Sequence, residues 1–189
     1  QPAFSPDGSR LAYIRRGSDR FSGQIETIAV TGGRPTPLTT DSEHIAGIDW
    51  TDDGRIIFGT GGGLRSIPEG GGPVTDLTSA SDDDAEMAHT FPDKLPGGRG
   101  ILYTVAFDFR QRSSVAVRVL DTVTGESREL LTGASNARYT RGHLVFAREH
   151  TIHAVPFDLE TLTLRGEPRP LGMSVIQSLE APNTWLVNG

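Results

Sequence analysis

No cysteine occurs in the 189 residues. This excludes disulfides and thiolate metal sites and leaves the redox compartment open. No apolar run approaches the roughly 20 residues that a membrane helix needs. An excess of cationic charge is missing too: the net charge is −6 and the isoelectric point is near 5.3. Nucleic acid is therefore not expected as the main partner, because neutralising phosphates takes clustered lysine and arginine. The small basic groups, Arg15 with Arg16 and Arg110 with Arg112, read as solvated charge at loop or strand ends. No segment holds a 3.6-residue apolar period, so helices are not expected. No signal peptide is visible. Gln1 opens directly into a repeat without an initiator methionine, which reads as a piece of a longer protein.

What is present is turn chemistry. The chain carries 23 glycines and 12 prolines, and turn signals recur at the spacing of all-β architecture. The stretch Phe4-Ser5-Pro6-Asp7-Gly8-Ser9-Arg10-Leu11-Ala12-Tyr13-Ile14 reads as strand, tight turn, strand. Pro6 presets φ at the second position of a type I turn, and Asp7 and Gly8 suit the next two. Leu11 to Ile14 is then apolar on both faces, as in a strand covered on both sides. The device returns at Trp50-Thr51-Asp52-Asp53-Gly54-Arg55-Ile56-Ile57-Phe58. A stretched copy is Phe91-Pro92-Asp93 with Gly97-Gly98 and Ile101-Leu102-Tyr103. A shortened one is Tyr139-Thr140-Arg141-Gly142-His143-Leu144-Val145-Phe146. A second marker closes each unit: Leu38-Thr39, Leu77-Thr78, Leu131-Thr132 and, more loosely, Leu171-Gly172.

A period of about 40–50 residues with four strands per unit is the signature of propeller blades. The expected fold is all-β: a β-propeller of about four four-stranded antiparallel blades near residues 2–40, 48–79, 89–133 and 136–172. Residues 173–189 would open a further blade or form a tail.

The residues Pro2 to Tyr13, and Asp49-Trp50-Thr51-Asp52-Asp53-Gly54 after them, resemble the TolB-type, WD-like propeller repeat. That resemblance covers residues 2–172 and implies a six-bladed ring, of which this chain holds four blades. Ala137-Arg138-Tyr139, Gly142 to Arg148 and Ala154 to Asp158 resemble the carboxyl-terminal propellers of certain bacterial membrane-anchored serine/threonine kinases. This implies an extracytoplasmic sensor or interaction module with a protein or peptide partner. The chain has no kinase phosphate loop, catalytic lysine context, His-Arg-Asp or Asp-Phe-Gly, so kinase activity maps to no residue here. The same propeller type precedes the hydrolase domain of prolyl-oligopeptidase-like peptidases. The Gly-x-Ser-x-Gly nucleophile elbow is absent as well. The expectation is a non-enzymatic binding module of a larger bacterial protein, without cofactor. The alternatives are a substrate gate of a serine peptidase or a free periplasmic TolB-like protein.

Candidate sites are few. Gly59-Thr60-Gly61-Gly62-Gly63 lacks the lysine and following helix of a phosphate loop and reads as a hairpin. Ser81 to Glu86 is the densest acidic run, but it lacks EF-hand spacing and reads as a solvated loop between blades. His150 and His153, three apart, cannot share one strand face. Asp7, Asp52, Asp53 and Asp93 are expected in equivalent turns, and turn formation already explains them; the alternative is that a closed ring gathers their carboxylates to bind a cation or a basic peptide. His89, just before a strand, reads as an ordinary loop histidine or, alternatively, as one that faces the central channel.

Overall fold

A computed structural model describes residues 2–17, 22–40, 44–82, 84–108, 114–176 and 186–187 of the chain. The strands form four successive antiparallel meanders. Unit one holds β1 (Ala3–Phe4), β2 (Arg10–Arg16), β3 (Gly23–Ala29) and β4 (Thr36–Pro37). Unit two holds β5 (Ile48–Trp50), β6 (Arg55–Thr60), β7 (Gly63–Pro68) and β8 (Thr75–Asp76). Unit three holds β9 (Ala88–Lys94), β10 (Gly100–Ala106), β11 (Val115–Asp121) and β12 (Ser127–Thr132). Unit four holds β13 (Ser135–Thr140), β14 (His143–Arg148) and β15 (Thr151–Asp158), which pairs with both β16 (Thr163–Leu164) and β17 (Arg169–Ile176). β17 continues four residues past Gly172 and pairs with β18 (Leu186–Val187).

The first strands of successive units lie side by side, so β1, β5, β9 and β13 are innermost. The doubly apolar runs are the second strands, and Ile101–Ala106 is among them rather than the inner strand of unit three. Their alternation assigns each side chain to one seam. Ala12 and Ile14 join Trp50, Ile56 and Phe58 between units one and two. Ile57 and Leu64 join Ile101, Tyr103 and Val105 between units two and three. Leu102 and Val117 join Leu144, Phe146 and Val155 between units three and four. Period two, with both faces covered, is what makes these strands apolar throughout. Each fully buried Leu, Ile or Phe contributes about 1.5–3 kcal/mol.

The two sequence markers have local causes. In the opening turns a hydroxyl closes the loop: Ser5 Oγ accepts from Arg10 N at 2.9 Å, and Thr51 Oγ1 accepts from Arg55 N at 3.1 Å. In the closing pairs the threonine extends a ladder after its strand has ended: Ile25 N donates to Thr39 Oγ1 at 2.8 Å, and Leu64 N to Thr78 Oγ1 at 2.9 Å. Within residues 59–63, Gly59 and Gly63 serve close approach. A Cβ at Gly63 (φ 138°) would stand 2.0 Å from Thr78 O, and one at Gly59 would stand 2.4 Å from His89 O.

The repeat register corrects one equivalence. Phe4, Trp50 and Tyr139 face Leu11, Ile56 and Leu144. In unit three that position is Lys94, opposite Ile101, and not Phe91. An irregularity in the β9–β10 ladder displaces the aromatic, and Phe91 turns to φ 53° against Gly47.

Candidate functional site

The turn ends of units two and three enclose a groove of about 510 Å³. Ile57, Leu77 and Ile101 line it with Asp52, Asp53 and Lys94. Lys94 Nζ forms an ion pair with Asp52 across the two units. Arg55, also in the lining, donates to Ser66 Oγ and Thr75 Oγ1, both neutral partners. Asp53 is exposed and has no hydrogen bond or ion pair among the described residues. Type I turn chemistry put Asp52 and Asp53 here, and the apolar lining is the edge of the seam beneath.

Three of the five expected site residues, Asp7, Asp93 and His89, stand elsewhere. Asp7 closes on its own turn. It accepts from Ser5 Oγ at 2.6 Å and from Ser9 N at 3.0 Å, and those bonds hold its carboxyl down to about 2. Asp93 lies in β9, opposite Leu102, and not in a turn, because the turn of unit three is displaced to Pro96–Gly98. No hydrogen bond or ion pair joins any two of Asp7, Asp52, Asp53, His89 and Asp93.

Asp93 does something different. Its Oδ2 accepts from Tyr139 N at 3.0 Å, and its Oδ1 meets Arg138 Nη1 at 2.5 Å. Asp49 holds the same register position one unit earlier, and its Oδ2 accepts from Lys94 N at 2.8 Å. Two innermost strands are thus stapled to the next unit by the same carboxylate-to-amide bond. Burial pushes the Asp49 carboxyl up, the Lys94 amide opposes this, and the nearby Asp93 charge adds to it. The sequence reading missed Asp49, although it precedes Trp50 in the best preserved repeat after the first.

His89 is buried and does not open on a channel. Its side chain and that of Glu86 are 2% and 1% exposed, with His89 Nε2 2.9 Å from Glu86 Oε2. His89 Nδ1 lies 2.6 Å from Thr78 Oγ1, and Tyr103 packs beside the imidazole with ring centroids 4.9 Å apart. Arg118 Nη1 meets Glu86 Oε1 at 2.5 Å, and Ser81 N donates to Glu86 Oε2 at 3.0 Å. Burial would raise the Glu86 carboxyl; His89, Ser81 and Arg118 together hold it below its ordinary value. Burial lowers the basicity of His89 against the pull of Glu86. Thr78, His89 and Glu86 form a hydroxyl–imidazole–carboxylate row, with the imidazole and carboxylate buried in the seam and the threonine half-buried at its edge. The signal for it was the Glu86-x-x-His89 spacing at the end of the acidic run.

Among solved structures, the chain is similar to a putative TolB from Agrobacterium tumefaciens. The TM-score is 0.58 and the identity 22%, over 71% of this chain and 51% of that one. The chain has the TolB-type β-propeller fold. Puromycin hydrolase carries a similar propeller, with TM-score 0.63 and 20% identity over 87% of this chain and 27% of that one. In sequence, 58 residues are 33% identical to the lasso peptide isopeptidase AtxE2 of Asticcacaulis excentricus, 31% of this chain and 8% of that protein. The propeller thus spans about half of the TolB chain and a small part of the isopeptidase. No family model matches it. No helix among the described residues is long and apolar enough to cross a membrane.

Proposed function

We propose that this propeller is a non-enzymatic module that binds a protein or peptide at the turn-end groove between units two and three, within a larger bacterial extracytoplasmic protein. The observation that carries the reading is the groove itself: an apolar lining, an ion pair across the units, and the unpartnered Asp53 carboxylate. The location and the sensor role follow the resemblance to membrane-anchored kinases, and the six-bladed ring follows the resemblance to TolB repeats. Phe4, 62% exposed where Trp50 is covered by unit one, supports a further blade against unit one.

The test pairs a peptide array with hydrolysis assays on fluorogenic peptide substrates. Capture without turnover, weakened severalfold in Asp53→Ala, is expected. Turnover by this chain alone, or capture indifferent to Asp53, would count against the reading.

The match to the isopeptidase and the likeness to puromycin hydrolase favour one second reading, a propeller that gates the active site of a prolyl-oligopeptidase-like serine peptidase. A Gly-x-Ser-x-Gly hydrolase domain encoded in the same gene would establish it; a kinase domain there would remove it.

A further inference from the structure

The buried polar row is unused by the binding reading, and its position suggests a separate role. Thr78 follows the last strand of unit two, and Glu86 ends the loop that crosses to unit three. His89 sits on β9, Tyr103 on β10 and Arg118 on β11. The hydrogen bonds fix the protons. Leu64 N donates to Thr78 Oγ1 at 2.9 Å, so the threonine hydroxyl is free to donate to His89 Nδ1. His89 then carries its proton on Nε2 and donates it to Glu86 Oε2. In this state the imidazole is neutral, and the charges of Glu86 and Arg118 cancel. The Tyr103 hydroxyl, pushed up by burial against the influence of Ser127 and Arg118, stays neutral and supplies no anion.

We propose that the Thr78–His89–Glu86 row is an acid-sensitive latch that holds the described parts of the crossing loop, residues 79–82 and 84–87, across the seam between units two and three. Protonating Nδ1 removes the acceptor that Thr78 now uses. It also leaves one buried positive charge uncompensated, with Arg118 close by on the same carboxylate. Glu86 anchors the loop through Ser81 N and through the bond from Glu86 N to Ser81 O at 2.9 Å. Opening of the row therefore frees the segment that carries Asp82 and Asp84. The sign follows from the lowered basicity of His89. The stabilisation is complete above the ordinary histidine value near 6.5 and is lost as pH falls from there toward the folded-state value.

Hydrogen exchange of the 189-residue chain tests this at about pH 7.5 and about pH 5, corrected for intrinsic exchange. Amides of residues 79–82 and 84–87 are expected to open about tenfold more often in acid. His89→Gln keeps one acceptor and one donor but cannot titrate, and should lose that increase. No increase in the native chain, or the same increase in His89→Gln, overturns the latch. Should the variant not fold, imidazole nitrogen shifts of the native chain decide instead. An Nε2–H tautomer that titrates below about 6.5 together with loop opening is expected. A charged His89 at neutral pH, or titration without opening, overturns it.

Discussion

The seam between units one and two and the seam between units two and three solve one packing problem in two ways. The first is a continuous apolar layer in which Trp50 is fully buried, with the Arg10 guanidinium 5.6 Å from its ring. Its single indole N–H is satisfied by Glu69 Oε2 at 3.0 Å. The second seam sets Ile57, Leu64 and Ile101 beside a buried carboxylate and imidazole and a half-buried guanidinium. An apolar seam depends on volume and is indifferent to pH. A polar seam depends on every partner being present and in one protonation state. The two seams should therefore fail under different insults.

Trp50→Ala should have the largest effect. It removes the largest fully buried side chain of the first seam, at a cost of about 3–5 kcal/mol. The urea midpoint should drop by the same amount at neutral and mildly acidic pH. A loss below about 1 kcal/mol would mean that unit one is not packed on unit two as described.

Glu86→Ala comes next. It strands Arg118 and removes the acceptor of the His89 proton, and breaking such a buried pair costs about 3 kcal/mol. Arg118 is 22% exposed, so water recovers part of its solvation and the cost stays at that lower end. Unlike the tryptophan variant, this one should also change the acid-dependent part of its unfolding profile: without the Glu86 carboxylate His89 is harder still to protonate in the folded state, so the loss of stability below the ordinary histidine value should deepen. Urea melts at several pH values would show it, and a variant with the native pH profile would sever the row from the seam's stability.

The repeat could be read from Pro6-Asp7-Gly8 and Asp52-Asp53-Gly54 because turns depend on local backbone preference, which the sequence states directly. The Leu-Thr markers were legible for the same reason, since Thr39 and Thr78 act on strands of their own units. The site was less legible. Asp93 was placed in a turn because the extra residues of β9 shift the register, and no local signal announces a bulge. Asp49 escaped notice, and Glu86 was read with the acidic run as solvated where it is buried, because both act through the packing of one element on another. Their partners, Lys94 N and His89, are set by how the sheets stack. His89 was singled out, but its burial depends on Thr78 and Tyr103, which arrive from two other elements.

Phe4→Ala should have the smallest effect and sharpens the comparison most. Phe4 and Trp50 share one register position, opposite Leu11 and Ile56, yet Phe4 is 62% exposed and Trp50 is fully covered. In this chain the substitution should cost within about 0.5 kcal/mol, as exposed positions do. The difference between the two variants then measures what a preceding unit contributes, because the local geometry is matched and the neighbour is not. In a chain that carries the proposed further blade against unit one, that blade would bury the phenyl ring, and the same substitution should approach the cost seen at Trp50. Equal, small costs in both settings would leave Phe4 facing solvent and rule out a blade on that face.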